Sequence, residues 1–183
     1  MAEYAPKKFK SRLGKDVTVR SAIKRDAETI LQVLKSVIDE EIWQLTSGSE
    51  FNVTIEEEEA WIEAHRTQPN HLILLAEMEG RIVGILDFAN GHRQRIAHTG
   101  EFGISVDKSM RSHGIGSLLL QELIDWAGEN KTIERIGLNV HGNNDRAVAL
   151  YKKMGFQIEG IRKHHLKYGD GQYVDTVVMG RFV

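Results

Sequence analysis

The stretch from His98 to Ala127 constrains the fold more than any other part of the chain. It opens with a β-type run, His98–Val106, and passes through the loop Arg111-Ser112-His113-Gly114-Ile115-Gly116. An apolar helix follows, with Leu119, Leu120, Leu123, Ile124 and Ala127 at core spacing. A strand that feeds a helix through a glycine-bearing turn calls for a sheet with that helix packed on it. The turn also carries chemistry. The first N–H groups of a helix lack internal partners, and the helix dipole is positive at that end. Gly114 and Gly116 let a ligand approach the backbone, and Arg111 adds a forked cation. Such a helix start suits a phosphate or pyrophosphate. Two glycines alone serve a tight turn with no ligand equally well. A P-loop is excluded, because no Lys follows Gly116. A dinucleotide turn is excluded too, because Leu119 replaces its third glycine and Val140-His141 offers no acidic residue.

The other elements read around this unit. Residues 1–16 are polar and form a tail or a short hairpin running into a strand at Val17–Arg20. Asp26 opens a helix with Ala27, Ile30, Leu31, Leu34 and Ile38 at helical spacing. Thr54 and Glu57 form a capping box for a second helix through Trp61 to His65, and Ile42 to Val53 is a loop. Leu72–Met78 and Ile82–Ala89 are strands joined at Glu79-Gly80. Ile136–Val140 is a strand, Asn144 to Met154 a helix stopped by Gly155, and Phe156–Arg162 and Tyr173–Arg181 are strands joined around Gly169-Asp170-Gly171. Helices interleave with hairpin-linked strands, so the expected fold is a single-domain α/β mixed sheet with helices on both faces.

Composition closes off several functions. Basic and acidic residues number 24 and 26, so no global field draws in nucleic acid. The chain has no cysteine, which excludes disulfides and thiolate nucleophiles and fits a reducing cytoplasm. No apolar run approaches the roughly 20 residues of a membrane span, so no membrane role is expected. His164 and His165 are adjacent, and His92 and His98 lack further ligands, so no metal site is expected. Glu56–Glu59 reads as the solvated face and first turn of a helix, with the border of an entry for cationic acceptors as the alternative.

Arg111-x-x-Gly114-x-Gly116, preceded by Phe102-Gly103-Ile104-Ser105-Val106, resembles the first signature of the GCN5-related N-acetyltransferases. Asn144-x-x-Ala147-x-x-Leu150-Tyr151-x-x-x-Gly155-Phe156 resembles the second, and the likeness spans residues 17–183. The resemblance implies a mostly antiparallel sheet with a splayed-strand cleft for CoA, with acetyl-CoA as co-substrate and no metal. By that likeness, Ile104, Ser105 and Val106 hold the pantetheine arm. Ser112, His113, Gly114, Ile115, Gly116 and Ser117 cradle the pyrophosphate beside Arg111, and Asn144 reaches the CoA arm. Tyr151 protonates the departing thiolate, a role a phenol neutral at pH 7 can fill. The residues alone also allow Asn144 as a helix cap and Tyr151 as a core side chain.

Transfer is expected to be direct, with the Val106 amide polarising the thioester carbonyl. Glu101 is the leading candidate for the base, since side chains alternate along a strand and it shares a face with Gly103 and Ser105. It can equally be a surface glutamate or pair with Arg95 or His98. Glu77 and Asp87 are further candidates, and Trp43 and Phe51 flank the loop that walls the acceptor site in the family. The ending Tyr168 to Asp175 resembles amino-acid, antibiotic and ribosomal-protein acetyltransferases. The expected partner is a small primary amine such as an amino acid. The alternatives are a protein N-terminus or a non-catalytic acetyl-CoA sensor. Homodimers are common in the family.

Overall fold

The structure, a computed structural model, describes residues 4–169 and 171–183. Asp170, in the expected turn between the last two strands, lies outside the described residues. In chain order the elements are β1 (Lys7–Lys10), β2 (Asp16–Ser21), α1 (Ala27–Ile38), α2 (Ile55–Thr67), β3 (Leu72–Met78) and β4 (Arg81–Asn90). They continue with β5 (Thr99–Val106), α3 (Ile115–Glu129), β6 (Arg135–His141), α4 (Asp145–Lys153), β7 (Gln157–Lys167) and β8 (Tyr173–Phe182). The strands form one sheet in the order β1-β2-β3-β4-β5-β6-β8-β7.

Local chemistry sets these elements. Glu79 and Gly80, at φ 53° and 75°, both take the left-handed conformation that a two-residue hairpin needs. Thr54 Oγ1 accepts from the Glu57 amide at 3.2 Å, and Glu57 Oε2 accepts from the Thr54 amide at 2.9 Å, so the capping box of α2 is complete. The start of α1 differs from the expectation. A short 3-10 turn at Lys24–Asp26 precedes it. Asp26 does not cap the helix; its carboxylate accepts from the Ile23 amide at 2.9 Å and pairs with Arg20. Strand β7 runs past Arg162 to Lys167, because a register shift between Arg162 and Leu166, with His164 at φ 50°, interrupts its alternation.

The sheet is covered on both faces. One face packs Leu74, Leu86, Phe88, Phe102, Ile136 and Leu138 against Leu119, Leu120 and Leu123 of α3. The other packs Ile73, Leu75 and Ile85 against Ile30 and Val33 of α1 and Ile62 of α2. Gly84 lets α3 lie close on β4, since a Cβ there would stand 2.8 Å from Ile115 and 3.0 Å from Leu119.

The β5–β6 pair positions the site. It is parallel, where its neighbours are antiparallel, and it is short. Only Thr99, Gly100 and Glu101 pair with Arg135, Gly137 and their intervening neighbour Ile136. Beyond Glu101 the strands part, and the remainder of β5 forms one bank of a cleft.

Candidate active site

The cleft holds a cavity of about 380 Å³. Its walls come from the open end of β5 (Ile104, Ser105, Val106), the loop and first turn of α3, and α4 with Asn144, Leu150 and Tyr151. These segments lie apart in sequence and meet because β5 and β6 splay.

The loop is shaped by two left-handed residues, Ser112 at φ 69° and Gly114 at φ 91°. The first internal bond of α3 runs from the Leu118 amide to the Gly114 carbonyl at 2.9 Å. The amides of Ile115, Gly116 and Ser117 therefore have no partner within the helix. A Cβ on Gly116 would come no closer than 3.7 Å to Leu150 and 3.8 Å to Val106. The protein has room for it, in ordinary contact with side chains that line the cavity. Free amides, a positive helix end and a clear floor fit the pyrophosphate of acetyl-CoA.

Other expected residues are placed as follows. Arg111 lines the cavity, but its guanidinium is engaged. Two nitrogens donate to Glu40 at 2.8 and 2.5 Å, and Nε donates to the Val106 carbonyl at 3.1 Å. Asn144 lines the cavity and also caps α4, with Oδ1 accepting from the Ala147 amide at 3.1 Å. What it can offer a ligand is its Nδ2 donor. Tyr151 lines the cavity, is 8% exposed, and packs edge-on against Phe102 at 5.8 Å. Burial pushes its phenol up to about 12, so it remains a proton donor at physiological pH.

Five expected residues stand outside the cavity wall: Phe51, Glu77, Asp87, Glu101 and His113. The His113 carbonyl accepts from the Arg12 amide at 3.0 Å, which ties the loop to the β1–β2 hairpin. Glu101 is exposed, at the point where the strands part, and accepts from Asn139 Nδ2 at 2.9 Å. Its pairing with Asn139 replaces the expected one with Arg95 or His98.

The cavity also includes residues that sequence patterning does not single out. Arg12 and Arg146 bring cations to it, and Gln44 reaches it from the segment after α1. Gln44 Nε2 donates to Ser105 Oγ at 3.3 Å. No short-range pattern marks these residues, because each arrives through a contact distant in sequence.

The match to known proteins agrees with this geometry. Residues 36–156 match the Acetyltransferase (GNAT) family. The chain is 32% identical over 167 residues to the L-amino acid N-acetyltransferase AaaT of Escherichia coli K12, covering 91% of this chain and 98% of that one. This chain belongs to the GNAT family. It is an acetyl-CoA-dependent N-acetyltransferase. The GNAT-family acetyltransferase of Streptococcus pneumoniae superposes on it with a TM-score of 0.88 at 32% identity, covering 91% of this chain and 99% of the other. The [ribosomal protein bS18]-alanine N-acetyltransferase of Escherichia coli K12 is 35% identical over 78 residues, 43% of this chain and 51% of that one. Among the described residues no cluster of metal-ligating side chains occurs, and no helix is long and apolar enough to cross a membrane.

Proposed function

We propose that this GNAT enzyme acetylates the primary amine of a small molecule, an amino acid or a related metabolite, within a cytoplasmic pool. One observation carries the reading. The segment after α1 is stapled over the acceptor side of the cleft at three points. Glu40 holds Arg111, the Ile42 carbonyl accepts from Tyr168 Oη at 3.1 Å, and Gln44 holds Ser105. Trp43 lies between the staples and meets His141 edge-on at 6.2 Å. A wall fixed in this way leaves a bounded site suited to a small acceptor, where a protein N-terminus needs an open groove. The full-length likeness to an L-amino acid acetyltransferase supports the same reading.

The proposed roles follow from placement. Acetyl-CoA supplies an acetyl thioester whose carbonyl carbon is open to attack by an amine. The open edge of β5 at Ile104–Val106 holds the pantetheine arm, with the Val106 amide as carbonyl donor. Loop amides from Ser112 to Ser117 hold the pyrophosphate, and Asn144 reaches the arm through Nδ2. Tyr151 gives its proton to the leaving thiolate. A carboxylate takes the proton of the incoming ammonium; Glu101, Asp87 and Glu58 are the candidates. The test is thiol release from acetyl-CoA with a panel of free L-amino acids set against peptides with free N-termini. Faster release with the peptides would move the reading to protein N-termini.

A further inference from the structure

Asp87 and Glu58 stand apart from the other carboxylates of the protein. Asp87 lies on β4, opposite Gly103 of β5. A Cβ on Gly103 would stand 2.8 Å from Asp87 Oδ1. The missing side chain at Gly103 is therefore what lets the carboxylate lean over β5. That strand bears Glu101 on one side of Gly103 and cavity-lining Ser105 on the other, all on one face of the strand. Glu58 comes from α2. It is 6% exposed, and its Oε1 has no hydrogen-bond partner among the described residues. Most of the other acidic side chains packed against the sheet have cations: Asp26 and Glu77 share Arg20, and Glu40 has Arg111. No ion pair among the described residues involves Asp87 or Glu58.

Two desolvated carboxyls with no cation of the chain beside them match a cation from outside. The charge that bears on Glu58 is that of Asp87; His65 on α2, His71 before β3 and His92 after β4 form a file of rings spaced 5.0 and 5.9 Å between centres. Burial pushes Asp87 up to about 6. Burial, and then the charge of Asp87, pushes Glu58 up to about 7. Burial also lowers His65 and His71, which keeps those rings neutral near pH 7. A base titrating just below neutrality is well matched to taking a proton at working pH.

We propose that Asp87, with the desolvated carboxyl of Glu58 beside it, is the ammonium subsite of this acetyltransferase: Asp87 receives the cationic head of the acceptor and takes its proton. The proposal rests on the acetyltransferase reading and names the base within it. The proton balance closes. One ammonium proton passes to Asp87, and the freed nitrogen lone pair bonds to the acetyl carbon as the C–S bond breaks. The departing sulfur takes the Tyr151 proton, and the second proton shed by nitrogen restores Tyr151. Asp87 then returns its proton to water, so one proton is released per turnover. Asp87 touches the substrate in this scheme.

The test measures kcat/KM against pH for the best acceptor in an L-amino-acid panel, and again with methoxyamine, a primary amine already unprotonated at neutral pH. Variants are Asp87→Asn, Glu58→Gln and Glu101→Gln, each checked for acetyl-CoA affinity by calorimetry to confirm the fold. Asp87→Asn is expected to lower kcat/KM at neutral pH by about 100-fold with the amino acid, the size of a lost general base, and far less with methoxyamine. Glu58→Gln is expected to leave the acid limb in place, because Glu58 holds its proton to higher pH than Asp87 and is already uncharged where Asp87 titrates. Equal losses for both amines in Asp87→Asn overturn the proposal, as does an acid limb that disappears in Glu101→Gln instead. An acid limb that disappears in Glu58→Gln likewise overturns Asp87 as the base. If no amine stimulates thiol release from the wild type, the acetyltransferase reading itself fails.

Discussion

Glu40 and Arg111 meet through two hydrogen bonds, of 2.8 and 2.5 Å, and so join the end of α1 to the loop that precedes α3. The pair is half-buried, with side-chain exposures of 12% and 24%. Removing one partner leaves a charge poorly solvated and unpaired, at a cost of about 1–3 kcal/mol. Glu40→Ala and Arg111→Ala are each expected to lower the denaturant midpoint. The double variant is expected to lose less than the sum of the two. Additive losses would show that the pair is not coupled.

The two glycines of the loop fail in different ways. Gly114 at φ 91° strains any other side chain, so Gly114→Ala is expected to cost about 1–2 kcal/mol of stability. Gly116 carries no such strain, and a Cβ there would sit in ordinary contact with side chains that line the cavity. Gly116→Val is expected to fold with a melting temperature near wild type and to lose measurable acetyl-CoA binding by calorimetry. Retained binding would place the pyrophosphate elsewhere.

Tyr151→Phe removes one hydroxyl from a side chain packed against Phe102 and Phe156. Turnover is expected to fall by about 100-fold, the scale of a lost proton donor, with acetyl-CoA affinity unchanged. A fall in affinity at unchanged turnover would make the hydroxyl a binding contact only.

The parts legible in the sequence share a physical cause: each depends on neighbours a few residues away. The α2 capping box, the Glu79-Gly80 turn and the buried stripe of α3 are of this kind. So is the glycine loop, whose free amides follow from helix geometry alone. What was not legible depends on contacts distant in sequence. Arg111 reads as a free cation until Glu40, in the segment after α1, is seen to hold it. Asp26 reads as the cap of α1 until Arg20 and the Ile23 amide are seen to claim it. Arg12 and Gln44 reach the cavity from segments that no periodicity connects to it. Strand β7 outruns its pattern because a bulge breaks the alternation on which the reading relies.

Asp26 supplies a pH prediction. Burial works against its charged form, but its hydrogen bonds with Arg20 and the Ile23 amide overcome this, and its pKa lies below the ordinary carboxylate value. A folded pKa below the unfolded one means stability that is present above the unfolded value, about pH 4, and lost as pH falls through the folded value. Asp26→Asn is expected to be less stable at pH 7 and to narrow its gap from the wild type in acid. A gap constant from neutral pH down to acid would remove the Arg20–Asp26 pair from the account.

The proposed activity is acetyl transfer to a small primary amine at a cavity where β5 and β6 part. Steady-state release of CoA thiol from acetyl-CoA, measured across free amino acids and related amines, tests it most directly. At least one small amine is expected to raise release well above the hydrolytic background, with the acetyl group recovered on its nitrogen. Acetyl-CoA binding with no stimulation by any small amine would contradict it.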